Sequence, residues 1–466
     1  MTSAPPPFRS LSALREAHRH LLSQRREGEN AAFLTAVEQF IHRGSATGVL
    51  LDNDEDRWQA QNLLDYWANE LFHARREPPE ATLTEFDPAQ APELDDAHCP
   101  YLGLTAYGTA NHQLFFGREM LVETMIERLR HGRLLTLTGP PDSGKTSAVL
   151  AGLLPKLQTG ALPGSQQWRY LPAIQPGTDP LFALARLLLP GDANPDEWIP
   201  QTIAHCQKSP DYLHKVLKET IKGTAVLVIN QFEEIYTLCP DAASRQAAIA
   251  SLLHLIQAED GPTLILTMRN HIENLLALTP VFQSLIEQSQ VRITAMNAAD
   301  MRRAVVKPAE LVGLNFEDGL EDELIREILG EPAALPLLQF NLLKLWEKRQ
   351  RNLITWAAYE EIGGGREAIA HTADALYAEM SVEEQTAVRH ILLALLRPET
   401  GFQFQPVRAL RRALYQIGSD PLLIDRVLDR LILAHLLRQV EGITPDEDQV
   451  EIAHEAMIDN WPRLIG

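Results

Sequence analysis

Residues 133–150 read RLLTLTGPPDSGKTSAVL, and the fold turns on how this stretch divides. Its first part, RLLTLTG, is an apolar run of strand length that ends on glycine, while the residues from Lys145 onward favour helix. Between them GPPDSGKT sets Gly139, Gly144, Lys145 and Thr146 at phosphate-loop spacing. A strand that turns through such a loop into a helix aims backbone N–H groups and the positive helix end at a bound anion. In that geometry Lys145 reaches the outer phosphates of a nucleotide and the Thr146 hydroxyl ligates Mg2+. Ser143 and Ser147 lie in the same turn and join the candidate nucleotide-binding residues.

Outward from this loop, RYLPAIQ, TAVLVIN, TLILTM and VRITAM are further short apolar runs with helical patterns between them, which predicts a parallel sheet in an α/β domain. One of these strands runs into VLVINQFEE, residues 226–234. In nucleotide-hydrolysing enzymes a second buried strand beside the loop ends in a carboxylate that addresses the metal through water. Here Asn230 holds that place. An amide accepts a hydrogen bond from metal-bound water but brings no negative charge, so Mg2+ is expected to be held less firmly. Either Glu233 or Glu234 is expected to position or deprotonate the attacking water; a solvated, carboxylate-rich helix start is the alternative for each. Arg269, closing the next strand in TMRNH, is placed to sense a terminal phosphate, with an ordinary surface charge as its alternative.

The flanks of this domain read differently. Leu11, Leu14, Leu21 and Leu22, then Phe33, Val37, Phe40 and Ile41, then Leu63, Leu64, Trp67 and Leu71 recur at spacings of three and four, which predicts a helical bundle over 1–76. DNDED within it imitates the start of a calcium loop at Asp52, Asp54 and Asp56, but Arg57 stands where the loop needs glycine and Leu63 where it needs glutamate. Residues 77–98 carry prolines and carboxylates without Lys or Arg and predict a linker. After an NTPase domain over 99–297, helical patterns predict a helical domain over 298–380. Helices closed by the strand-like runs HLLRQVEG and QVEIAHEAM predict a winged helix over 381–466.

A length of 466 residues with 45% hydrophobic and 22% charged residues suits several globular domains and excludes wholesale disorder. The net charge of -20 opposes general binding to nucleic acid or anionic membranes. Cys99, Cys206 and Cys239 are too scattered for a thiolate metal site, no signal-like N-terminus or membrane-length apolar run occurs, and a cytoplasmic location is expected.

Taken together, these segments resemble the STAND NTPases (signal transduction ATPases with numerous domains), AAA+/NACHT-like P-loop proteins, and specifically their bacterial novel STAND branch. CPYLGLTAYGTANHQLFFGRE, GPPDSGKTSAVLAGLLPKL, VLVINQFEEIYTL, GEPAALPLLQFNLLKLW and VEIAHEAMIDNWPRL follow in that family's order, from Cys99 to the last residue. The resemblance implies that Phe116 and Arg118 lie near an adenine, that Pro336 touches the base although Ala334 replaces the family's glycine, and that His454 meets the diphosphate of bound ADP. It implies ATP or ADP as ligand with Mg2+, self-association on activation, an effector or adaptor met by the N-terminal helices, and a sensor region C-terminal to or outside this chain. Two departures bear on catalysis: Asn230 replaces the family's aspartate, and RNH follows the third strand in place of RADF.

The sequence thus predicts a multidomain α and α/β chain acting as a slow ATPase that serves as a molecular switch, closed with ADP and assembling on a trigger. The alternative is an ATPase-coupled DNA-binding regulator, for which PVRALRRALYQIG offers Arg408, Arg411 and Arg412 on one helix.

Overall fold

The computed structural model of the chain describes residues 6–27, 30–51, 54–87, 93–191, 193–270, 280–331, 333–398, 404–416, 420–440, 448–453, 457–458 and 461. The chain forms two compact units, Ala106–Asn297 and the pairing of Met1–Thr105 with Ala298–Gly466.

In Ala106–Asn297 the apolar runs become the strands β1 (Leu134–Gly139), β2 (Arg169–Tyr170), β3 (Ala225–Ile229), β4 (Thr263–Arg269) and β5 (Gln290–Arg292). They form one sheet in the order β2-β3-β4-β1-β5, and every pairing is parallel. The runs are apolar without alternation because both faces of the sheet are covered. Leu135, Leu137, Val226, Val228 and Ile265 enter one core, and Leu134, Leu227, Ile229, Leu264 and Leu266 the other. Thr136, on the second of these faces with Leu134, satisfies its hydroxyl on Ser289 Oγ at 2.9 Å. The helix after β1 starts at Lys145, passes through a π-helical stretch at Ala148–Leu153, and continues over Leu154–Gln158. Gly152 lies in that stretch, and a Cβ on it would stand 2.6 Å from Val122 Cγ2 and 3.1 Å from Phe115 Cε1.

In the second unit α1 (Leu11–Glu27), α2 (Ala31–Thr47) and α3 (Asp54–His73) share a core of Leu14, Val37, Ile41, Leu64, Trp67 and Leu71. Phe33 and Phe40 meet the Trp67 ring at 6.0 and 6.4 Å, and the Trp67 indole N–H donates to His18 Nδ1 at 3.0 Å. Burial lowers the His18 pKa, which keeps that nitrogen free to accept. The expected linker is fastened at both of its described ends. Thr84 N donates to Ser45 O and Asp87 N to Val49 O, each at 3.1 Å, and Arg57 donates to Thr84 O at 2.8 Å. Further on, Arg349 stacks 3.9 Å over Trp346 and holds Leu94 O and Asp96.

The N-terminal helices also meet Ala298–Val312, where Ser12 Oγ donates to Glu310 Oε2 at 2.9 Å. Residues 99–105 pack in this unit too, with the Tyr101 hydroxyl donating to Val305 O at 2.7 Å. Toward the C-terminus the helices Val382–Ala394 and Pro421–Leu433 accompany a three-stranded sheet in which Gln449–Ile452 lies between Ala409–Leu410 and Leu437–Val440, antiparallel to both.

The predicted basic helix is not formed as such. Arg408 precedes the short strand Ala409–Leu410, because those residues pair with Val450 and Gln449; only Arg411 and Arg412 enter a helix, Arg411–Leu414.

Candidate functional site

Parallel sheets place ligands at the carboxyl ends of their strands, and the predicted polar residues of Ala106–Asn297 gather there. The β1–β4 register sets Gly139 opposite Arg269. A Cβ on Gly139 would fall 2.1 Å from Ile293 Cγ2, so only glycine lets the chain leave the sheet here. Gly144, at φ 83°, supplies the left-handed turn that opens the helix, and Asp142 is bent the same way at φ 61°. Ser143 Oγ donates to Pro140 O at 2.8 Å within the loop. The Lys145 ammonium folds over the loop and donates to the carbonyls of Gly139 (3.2 Å) and Pro140 (2.5 Å). Thr146 is half-buried in the first helical turn, while the Ser147 hydroxyl accepts from Tyr107 N at 3.1 Å.

Arg118 does something the sequence did not predict. Its buried guanidinium donates to Thr294 O at 2.8 Å and to Ser143 O at 3.0 Å, so it ties the phosphate loop to the segment after β5. Phe116 is half-buried; its neighbour Phe115 is the ring that stands against Gly152 and Tyr107.

At the end of β3 the chain turns sharply, with Gln231 at φ 51°. Thr267 of β4 organises this turn: its hydroxyl donates to Asn230 Oδ1 (3.3 Å) and accepts from Gln231 N (3.1 Å), and its carbonyl accepts from Phe232 N (2.9 Å). Asn230 is buried, and its backbone N–H donates to Ile174 O at 2.8 Å. Past the turn the two glutamates part. Glu233 is buried, accepts from Arg269 N at 3.3 Å and lies 3.4 Å from Arg269 Nε. Burial raises its pKa, and the charges of Arg269 and Lys145 oppose that rise without cancelling it. Glu234 instead accepts from Gly177 N at 2.9 Å and braces the neighbouring loop.

The site therefore unites Gly139, Ser143, Gly144, Lys145, Thr146, Asn230, Glu233 and Arg269 on one sheet edge. It offers a cradle of loop amides, a cation above it, and a single buried carboxylate of raised proton affinity. Thr267 was legible only as one of two threonines in a largely apolar strand. Pro336 is buried in the helix Ala334–Glu347 of the other unit, and His454 lies outside the described residues. Among the described residues no group of three or more His, Cys, Asp or Glu could hold a metal, and no helix is long and apolar enough to cross a membrane.

The sequence model of a family described as Novel STAND NTPase 1 matches residues 100–466. No curated protein matches the chain in sequence. Among solved structures, the Aeropyrum pernix ORC1 protein in complex with DNA is similar at 14% identity and a TM-score of 0.41, over 74% of this chain and 92% of that one. Drosophila ORC bound to DNA gives 14% and 0.37 over 84% and 97%, and the Aeropyrum pernix ORC2 protein in its ADPNP-ADP complexes gives 13% and 0.38 over 74% and 92%. At those TM-scores the likenesses carry no argument about this chain.

Proposed function

The chain belongs to the novel STAND NTPase 1 family, and on that premise we propose that it is an ATP/ADP-operated signalling switch which holds nucleotide firmly and hydrolyses it slowly. The observation that carries this reading is the asymmetry of the strand ends. The loop keeps every phosphate-binding feature, while the end of β3, across β4 from the loop, offers one buried acid, Glu233, and the uncharged Asn230.

The residues fit a nucleotide. The loop amides and Lys145 would hold the phosphates, Arg118 would keep the loop in place, and Arg269 would report the outermost phosphate. Mg2+ bound at Thr146 would neutralise phosphate charge. Glu233 would take the proton of the attacking water. Its raised pKa suits that exchange, because the carboxyl holds a proton more readily than an exposed glutamate does. Glu234, spent on Gly177, has a bracing role.

In this reading ADP keeps the domains closed. A trigger allows exchange and self-association, and the helices over 1–76 are presented to an effector, in a cytoplasmic pathway of bacterial defence or stress signalling. Pro336 and His454 would contribute the contacts from the C-terminal domains that let nucleotide favour one arrangement over another. The helices and antiparallel strands after Ser381 support a winged helix there. The DNA-reading alternative draws less support, since Arg408 is paired with Glu451 at 2.7 Å and Arg411 with Asp425 and Asp429 at 2.5 and 2.6 Å.

The test is to release nucleotide from the purified chain with acid and identify it by ion exchange. ADP near one per chain is expected. A nucleotide-free chain that binds neither ATP nor ADP by calorimetry would end the proposal.

A further inference from the structure

The outer face of α3 is written in heptads. Trp58, Asp65 and Phe72 recur every seven residues, and Asn62 and Asn69 fill the intervening places of the same seam. Apolar side chains at helical spacing usually point inward, yet Trp58 is 68% exposed and Phe72 70%. They stand about 21 Å apart along the axis at the usual rise per residue. The opposite face of α3 already fills the core through Leu64, Trp67 and Leu71. A seven-residue seam is the geometry that packs against a second helix at a shallow crossing angle.

Asp65, in the middle of that seam, decides what the second helix can be. It accepts from Gln61 Nε2 at 2.8 Å, and among the described residues no cation pairs with it. A second copy of α3 would bring its own Asp65 to the same point in either direction. In parallel pairing equal positions meet, and in antiparallel pairing the midpoint between Trp58 and Phe72 meets itself. Two carboxylates facing each other between apolar contacts repel.

We propose that this face of α3 captures an amphipathic helix of a partner protein which carries a lysine or arginine opposite Asp65 and apolar residues opposite Trp58 and Phe72. The inference rests on the reading that these helices are the output module and identifies the chemistry they recognise.

Selection of displayed helices of about 18 residues on the immobilised full chain tests it. Leucine is fixed at the seam positions and the central position is randomised. On the native chain, Lys and Arg should be enriched at the centre about tenfold over Asp and Glu. Asp65→Arg should invert the preference, and Trp58→Ala and Phe72→Ala should each reduce capture at least about tenfold. The same central residue enriched on both the native and the Asp65→Arg chain would overturn the proposal, as would capture unaffected by Trp58→Ala. A native dimer in sedimentation that Trp58→Ala dissolves would assign the face to a second copy instead. Nucleotide binding measured on the same variants keeps this inference separate from the switch: loss of capture selectivity with nucleotide binding intact sinks only the former.

Discussion

Two glutamates, the buried Glu233 just after β3 and the largely covered Glu451 within Gln449–Ile452, are both approached by arginine, and their pKa values move in opposite directions. Burial pushes both upward. Around Glu451, Arg438 and Arg408 close on the two carboxylate oxygens, Arg408 Nε at 2.7 Å and Arg438 Nε at 2.8 Å, and hold the group below the usual carboxylate range. Around Glu233 a single guanidinium stands 3.4 Å away, and burial prevails. The C-terminal cluster is complete in itself, with each charge spent on another. The strand-end cluster is incomplete, and an incomplete buried cluster is where a ligand has something to add.

The signs for folding differ accordingly. Glu451 contributes stability that is present above its unfolded pKa and lost as pH falls through its depressed folded value. Glu233 holds its proton more tightly when folded, so its contribution favours folding in acid and is lost as pH rises through its raised value.

The comparison breaks most sharply at Lys145. If the strand-end cluster awaits phosphate, Lys145→Ala should weaken ATP and ADP binding about a thousandfold or more by calorimetry and leave the melting temperature of the nucleotide-free chain nearly unchanged, because the Lys145 ammonium donates to loop carbonyls and the Ser143 hydroxyl and fills no hydrophobic core. Undiminished affinity would make the loop a mere turn. Next in size, Glu233→Gln should leave binding intact and slow single-turnover hydrolysis about a hundredfold, while Glu234→Gln should not. Equal losses in the two variants would mean that burial does not distinguish their roles.

The sheet was legible because strands covered on both faces are rich in apolar residues without alternation, as in β3, and in β1 and β4, where threonines interrupt the run. The phosphate loop was legible because glycine is required at fixed places, by crowding at Gly139 and by the backbone at Gly144. The roles of Glu233 and Glu234 were not, since adjacent identical side chains are separated only by the turn that Thr267 imposes on Gln231, a contact between distant positions. The bracing of the loop by Arg118 was not legible for the same reason: its partner Thr294 is far along the chain, and local pattern carries no trace of it. The basic helix around Arg408 failed because pairing with Val450 outweighed the helical spacing of the arginines.

Glu451→Gln tests the other half of the comparison. It leaves Arg408 and Arg438 without their shared counter-charge, and since both are about a third exposed the cost should be moderate, about 1–2 kcal/mol by urea unfolding at neutral pH. The native advantage should shrink on acidification, as Glu451 takes up a proton. A variant as stable as the native chain at every pH would mean that solvent satisfies these arginines equally well.

The smallest expected effect belongs to Asn230, and it bears most directly on why the cluster is incomplete. Asn230 accepts from the Thr267 hydroxyl at 3.3 Å, and an aspartate could accept the same bond. Asn230→Asp therefore keeps the local geometry and adds a charge. Without Mg2+ that charge lies near Glu233 in a buried place and should raise the Glu233 pKa further, because like charges disfavour ionisation. With Mg2+ held at Thr146, the added carboxylate would supply negative charge toward the cation, and turnover should rise about threefold. Single-turnover hydrolysis measured across a Mg2+ titration separates these opposed effects. A gain that appears only with Mg2+ would identify the amide as the residue that makes the native chain a holder of nucleotide. A native chain that already turns over rapidly, with an aspartate variant no faster at any Mg2+ concentration, would mean that Glu233 and Arg269 suffice and that the missing charge at Asn230 does not slow the switch.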